Sequence, residues 1–280
     1  VANVAYPTDL LPSVTNAEPP RNPAIGAINV LLVNGAFFKS ETDIATRGRM
    51  MGISWSRNYR SDITYNGPLG FNWVGFYYQR AMFWSGAQDH VDWYTADGRM
   101  ETFSGAPGDF MTGPSGVYAV ASRDATHETI TIKDRHGFTC LFNAQGRLQS
   151  CTDRNGNKTT CLYNYAGQLT RITDDRGFYY DITYYSHGRV QKVEDKVWNP
   201  STPRAIDYTY DSNGNLTEQK SPTTSRYGGA GAPFTRITYG YRYNAAHQLT
   251  ACINPREFAQ GSNPTAYMEN VYEGARVVAQ

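Results

Sequence analysis

Four cysteines, five histidines and several Asp-Gly loops are the residues of this chain with chemistry to offer, and their spacing decides which chemistry is open to them. His90, His127, His136, His187 and His247 are scattered, four of them beside turn residues, and none has a Cys or Glu at metal-ligand spacing. The segments "DRNGNK" (153–158) and "DSNGNL" (211–216) contain pieces of a calcium loop, but they lack its alternating acidic ligands and terminal Glu and read as turns. Neither "GPSG" nor "GGAGAP" is followed by Lys-Ser/Thr, so neither is a phosphate loop. No Ser/His/Asp or Cys/His constellation stands out. The expectation is a non-enzymatic chain with no catalytic, cofactor-binding or metal-binding residues, which turns attention to the elements that carry these side chains.

Those elements repeat. Phe142, Tyr163 and Tyr184 lie 21 residues apart; each has Gly four positions later (Gly146, Gly167, Gly188) and an apolar residue two beyond that (Leu148, Leu169, Val190). The same spacing fits Tyr94/Gly98/Met100 and Tyr210/Gly214/Leu216, and it fits Tyr243/Leu249 with His247 in the place of the glycine. A second beat falls eleven residues after the aromatic, at Asp153, Asp174 and Asp195. Fixed-period self-similarity marks units that bury their apolar faces only by stacking on neighbours. A short polar loop with Gly between alternating Thr/Ile/Tyr runs such as "ETITIKD" and "YYDITYY" is a hairpin signal. Consecutive antiparallel hairpins are therefore expected from about residue 91, turning at Gly98, Gly146, Gly167, Gly188 and Gly214. The repeat aromatics should share one environment, each against the Leu or Val of its own hairpin.

The cysteines belong to this frame. Cys140 and Cys161 precede their aromatics by two residues, and Cys151 and Cys252 follow theirs by nine. These are framework positions, not a metal cluster. Cys140 and Cys151 fall on the two strands of one hairpin, opposite each other if a bulge shifts the register by one residue. That bond is the favoured disulfide if the protein is secreted, although four cysteines allow three full pairings.

Composition fits thin, amphipathic sheets: 21 Tyr against 12 Phe and 5 Trp, with a mean hydropathy of −0.55. The 26 Lys and Arg nearly balance the 25 Asp and Glu, so the basic excess that nucleic acid requires is absent. No apolar run reaches membrane-spanning length. Residues 1–27, with five prolines, read as an extended N-terminal arm; 28–103 as a β segment capping the array; 104–280 as the hairpin array, its first hairpin near 91–103 and a Gly/Pro loop inserted at 221–233.

The phrases "YNYAGQLT" and "YDSNGNLT" resemble the YD repeat of the RHS family, which includes bacterial polymorphic toxins, toxin-complex C subunits and teneurins. The segment with "VNG", Asp43, "RGR", "SRNYRS" and "GPLGFNW" is similar to the region that precedes the repeats in bacterial members. The resemblance covers about residues 28–280. It implies an all-β fold of antiparallel β-hairpin repeats forming a spiral or barrel-like RHS shell, secreted or at the bacterial cell surface. It implies either enclosed cargo such as a toxin or an extracellular assembly, with adhesion or glycan and receptor binding as the alternative. Toxin members end the shell with a "DPxGL"-like motif, and no Asp-Pro pair occurs here. A seventh hairpin starts at Tyr272, and its last strand is apolar at Val277 and Val278. The expected partner of that edge is the remainder of a longer shell or a neighbouring copy of this chain.

Overall fold

The computed structural model describes residues 13–14, 29–31, 33–46, 51–86, 88–105, 110–124, 126, 128–196, 204–222, 236–259 and 264–280. The Gly/Pro loop at 223–233 and all of the N-terminal arm except 13–14 lie outside them. One antiparallel meander runs from Arg80–Trp84 to Met268–Glu269, each strand bonded to the next in chain order. The expected class, all-β antiparallel hairpins, is the observed one.

Four of the hairpins are fixed by the same local device. Asn143, Asn164, Asp211 and Asn244 follow the repeat aromatic, and each side-chain oxygen accepts the backbone N–H four residues on, at 2.8 to 3.0 Å. Residue i therefore prescribes the turn through its own side chain, which is why Asn and Asp recur there. The glycine at i+3 donates its N–H to the carbonyl of residue i, as in Gly146 to Asn143 at 2.7 Å. That geometry needs a left-handed residue: φ is 73° at Gly146, 77° at Gly167 and 84° at both Gly188 and Gly214. His247 takes the same place with φ 62°. At the far ends Asp134, Asp153 and Asp174 do the same work, each accepting two backbone N–H bonds.

A one-residue register shift precedes five of the six repeat aromatics, between Leu141 and Phe142, Leu162 and Tyr163, Thr183 and Tyr184, Thr209 and Tyr210, and Arg242 and Tyr243, whereas Tyr94 pairs with Met100 without one. The bulge sets the aromatic opposite the apolar residue of its own hairpin, Tyr163 facing Leu169 and Tyr184 facing Val190. The ladder between neighbouring hairpins ends two residues short of that Leu or Val; between the Gly146 and Gly167 hairpins, for example, it stops at Ser150 and Thr160. The next tyrosine takes the carbonyl left over. Tyr163 donates to Leu148 O at 2.8 Å, Tyr184 to Leu169 O at 2.8 Å, Tyr210 to Val190 O at 3.0 Å and Tyr272 to Leu249 O at 2.9 Å. Tyr163, Tyr184, Tyr210 and Tyr272 thus bond to the hairpin before their own, while the Tyr243 hydroxyl accepts from Trp73 instead. Tyr184→Phe, which strips one such hydroxyl from a half-buried site, is expected to cost about 1–2 kcal/mol, read as a lower denaturation midpoint at unchanged slope.

The sheet curls. Ala81 N donates to Gly146 O at 3.1 Å and Arg80 bridges to Arg147, so the first strand of the meander lies against a turn six strands later. The N-terminal segment packs against the meander. Its three-stranded sheet, Phe38–Ala45, Ser54–Arg60 and Trp73–Gly75, shares one continuous core with the inner face of the meander, from Ile130 and Leu148 through Leu169, Val193 and Ile206 to Leu249. Trp55, Tyr59 and Trp73 are buried to 2% exposure or less. Three strands cannot cover rings of that size, whereas the apolar inner wall does. At the other end Val271–Glu273 and Arg276–Ala279 form their own hairpin, and Val277 N donates to Gly35 O at 2.9 Å. One donor of the edge expected to await an outside strand is therefore used within the chain, while Val278 stays exposed.

Candidate functional site

The inner face where the N-terminal segment meets the wall holds the densest polar chemistry. Ser54–Arg60 alternates, so Trp55, Arg57 and Tyr59 point the same way, into the wall. Arg57 is fully buried and grips Asp43 with two bonds, Nε to Oδ2 at 2.7 Å and Nη2 to Oδ1 at 3.1 Å. Its Nη2 also donates to Tyr241 OH at 2.8 Å, and its guanidinium carbon stands 4.2 Å from the Trp73 ring centre and 5.2 Å from that of Tyr241. Tyr208 hydrogen-bonds Asp43 through its hydroxyl, which accepts from Trp55 Nε1 at 2.8 Å. Nearby, Trp73 Nε1 donates to Tyr243 OH at 2.8 Å, and Tyr59 OH accepts from Leu249 N at 2.8 Å. Three strands of the N-terminal segment are thereby tied to repeats more than 150 residues away.

The electrostatics make this a lock and not an acid–base centre. Burial pushes the phenols of Tyr208 and Tyr241 upward, so neither ionises near neutrality. Burial opposes the Arg57 charge, and Asp43 with the two phenols outweighs it, holding the guanidinium above its ordinary range. Its Nη1 has no hydrogen-bond partner among the described residues. Beside the lock lies a cleft of about 490 Å³ lined by Glu41, Asp43, Arg204, Gln219, Tyr239 and Tyr241. Its charges are already paired, Glu41 with Lys39 at 2.5 Å, Asp43 with Arg57, and Arg204 with Asp195.

The repeat phenols share one electrostatic state. Burial holds Tyr163, Tyr184, Tyr210 and Tyr243 above the ordinary phenol value. A group whose folded value is raised stabilises the fold below its unfolded value, about 10 for Tyr, and that stabilisation is lost as pH rises further. Stability is expected to fall steeply above about pH 10, with these phenols ionising in the same transition that abolishes near-ultraviolet circular dichroism. Their gradual ionisation with the dichroism intact would contradict the burial.

The residues singled out by sequence fall as follows. Phe142, Leu148, Leu169, Val190, Leu216 and Leu249 are fully buried, and Tyr94 is 8% exposed. Gly98, with φ 80°, turns the hairpin of His90–Tyr94 and Met100–Ser104. His247 stacks on Phe71 at 3.5 Å between ring centres, with Nδ1 2.7 Å from Asn215 Oδ1, and burial lowers its pKa. His187 stacks on Tyr185, His136 lies 3.0 Å from Arg135 Nε and His90 lies 3.9 Å from Asp92; His127 is outside the described residues. Among the described residues no three His, Cys, Asp or Glu side chains converge on a possible metal. Asp153 and Asp211 spend their carboxylates on their own turns. Cys140 and Cys151 are direct cross-strand partners, both free thiols, with Sγ atoms 2.9 Å apart. Sequence reasoning missed Arg57 as a hub. Its signal was the alternation "WSRNY", a charge flanked at two-residue spacing by aromatics on an inward face.

A hairpin ladder wound round its own N-terminal segment, inner face apolar and outer face lined with pairs such as Arg171–Asp181 and Arg236–Asp207, defines a repeat-built structural shell. The RHS Repeat family model matches residues 142–179, and a domain of unknown function, DUF6531, matches residues 28–103. The ladder thus contains an RHS-type repeat over residues 142–179. Among solved structures the protein is similar to a chain of the TcdB2-TccC3-Cdc42 crystal structure (14% identity, TM-score 0.35, 79% of this chain and 12% of that one). It is also similar to a porin-like protein from Bacteroides uniformis ATCC 8492 (16%, 0.31, 62% and 85%) and to a chain of TcdB2-TccC3-TEV (12%, 0.29, 81% and 14%). The chain thus spans about an eighth of the first of these. No curated protein matches it. No helix among the described residues is long and apolar enough to cross a membrane.

Proposed function

We propose that this chain is a length of wall in a secreted or cell-surface RHS shell, and that the wall encloses polypeptide cargo without acting as an enzyme. One observation carries the reading: the concave face already holds separate lengths of polypeptide, residues 37–46 and 51–78, through rings and hydroxyls contributed by successive repeats. A surface that takes Trp55, Tyr59 and Trp73 out of water in this way is suited to hold other chain segments further along the shell. The partners that fit are the remainder of a longer shell, or copies of this chain added at a strand edge, with a toxin as the enclosed class of cargo. The charge-paired outer face supports a solvent-facing exterior.

Protease protection of the complete gene product tests the proposal. Segments held inside should survive a broad protease under native conditions and be digested once denaturant opens the shell. Digestion of every segment beyond the hairpin ladder at the rate of an unfolded control would overturn it.

A further inference from the structure

Two thiols sit face to face on the inner wall, and only one of them has a way out. Cys140 and Cys151 are register partners because the shift between Leu141 and Phe142 absorbs the odd residue of the Gly146 hairpin. Directly opposed antiparallel residues have Cα atoms about 4.5–5.5 Å apart, inside the span of about 4.4–6.8 Å that a disulfide bridges. Cys161 is on the next strand of the same buried face, but its partner across the Gly167 hairpin is Ile172. Cys252 is far along the ladder, on Leu249–Ile253.

A cleft of about 270 Å³ leads to this pair. Its lining includes Phe76, Trp93, Arg99, Ile132, Phe138 and Cys140. Cys151 lies behind Cys140 on the following strand, at 1% exposure, and does not line the cleft. The hydrogen bond shared with Cys140, and then burial, push the Cys151 thiol upward, so Cys151 is a poor first nucleophile.

We infer that Cys140 and Cys151 are an oxidisable dithiol that reacts with small aliphatic disulfides admitted by the cleft, Cys140 attacking first and Cys151 resolving. In the first step Cys140 Sγ, after losing its proton, bonds to one sulfur of the small disulfide; the S–S bond breaks and the departing thiolate takes a proton. In the second step Cys151 Sγ attacks Cys140 Sγ in the mixed disulfide and expels the second small thiol. Two protein thiols and one small disulfide become one protein disulfide and two small thiols, the two electrons passing to the small disulfide. The bond clips the Gly146 hairpin, whose turn receives the Ala81 N–H.

The test uses the fully reduced chain, oxidised glutathione as the probe, and acid quenching followed by alkylation and peptide mapping. Wild-type protein is expected to acquire a Cys140–Cys151 link while still folded by circular dichroism. Cys151→Ser should accumulate glutathione on Cys140, and Cys140→Ser should take it up on Cys151 at least tenfold more slowly. Equal rates in the two variants, a link through Cys161 instead, or no link in the folded wild type would each overturn the inference. Should a serine variant fail to fold, the wild-type link alone decides: its formation between Cys140 and Cys151 upholds the dithiol, and its absence refutes it.

Discussion

Asp43→Ala is expected to lower the unfolding free energy by about 3–5 kcal/mol, the cost of leaving a buried charge without its counter-ion. Arg57 is fully buried, two of its nitrogens are spent on Asp43, and the surrounding rings of Trp73, Tyr208 and Tyr241 have no anion to replace it. The substitution also removes the acceptor of the Tyr208 hydroxyl. Asp43→Asn keeps an oxygen for Tyr208 and for one guanidinium bond, so its cost should be smaller, about 2 kcal/mol. Both are read from denaturant midpoints at unchanged slope. A loss of under about 1 kcal/mol for Asp43→Ala would mean that the pair behaves as an exposed surface pair, and the lock would not exist as described.

The second large effect is expected at the seam where the sheet curls back on itself. Gly146 has φ 73°, and a Cβ there would overlap Met82 Sδ and stand 2.6 Å from Ala81 O. Gly146→Ala therefore combines a left-handed alanine, about 1–2 kcal/mol, with a backbone collision that overpacks the seam, about 1–3 kcal/mol. A matched control is at hand. Gly156 has φ 87° with nothing within 4 Å of a Cβ, so Gly156→Ala should show the backbone strain alone. The difference between the two variants measures the seam. Equal losses would show that Arg80–Trp84 does not lie against the Gly146 turn.

Much of the ladder was legible because the repeat writes its own turns. In four hairpins the Asn or Asp after the aromatic is called for by a specific bond, and the residue three positions later by its φ angle, so the 21-residue spacing carried the hairpins and even the bulge that aligns Cys140 with Cys151. The tyrosine hydroxyl reaching back to the preceding Leu carbonyl was not legible, because spacing places a side chain on a face without saying where an inter-hairpin ladder stops. The position of the N-terminal segment was hidden for a related reason. "WSRNY" announces one buried face, yet nothing in its alternation tells whether the cover comes from above the array or from inside it. Arg57 was hidden twice over, since a charged residue in a short polar run reads as solvent-facing until the aromatic neighbours at two-residue spacing are counted together. The C-terminal strand looked like an open edge because a sequence shows donors without showing that Gly35 accepts from Val277.

The central claim, that the N-terminal segment lies on the inner face of the hairpin wall, is tested most directly by a double-mutant cycle between Trp73 and Tyr243, joined at 2.8 Å across 170 residues of sequence. Trp73→Phe, Tyr243→Phe and the double variant are compared by chemical denaturation. The structure predicts a coupling energy of about 1 kcal/mol, within the range of about 0.5–3 kcal/mol for residues in contact. Additivity to within about 0.3–0.5 kcal/mol, as for residues that do not touch, would contradict it.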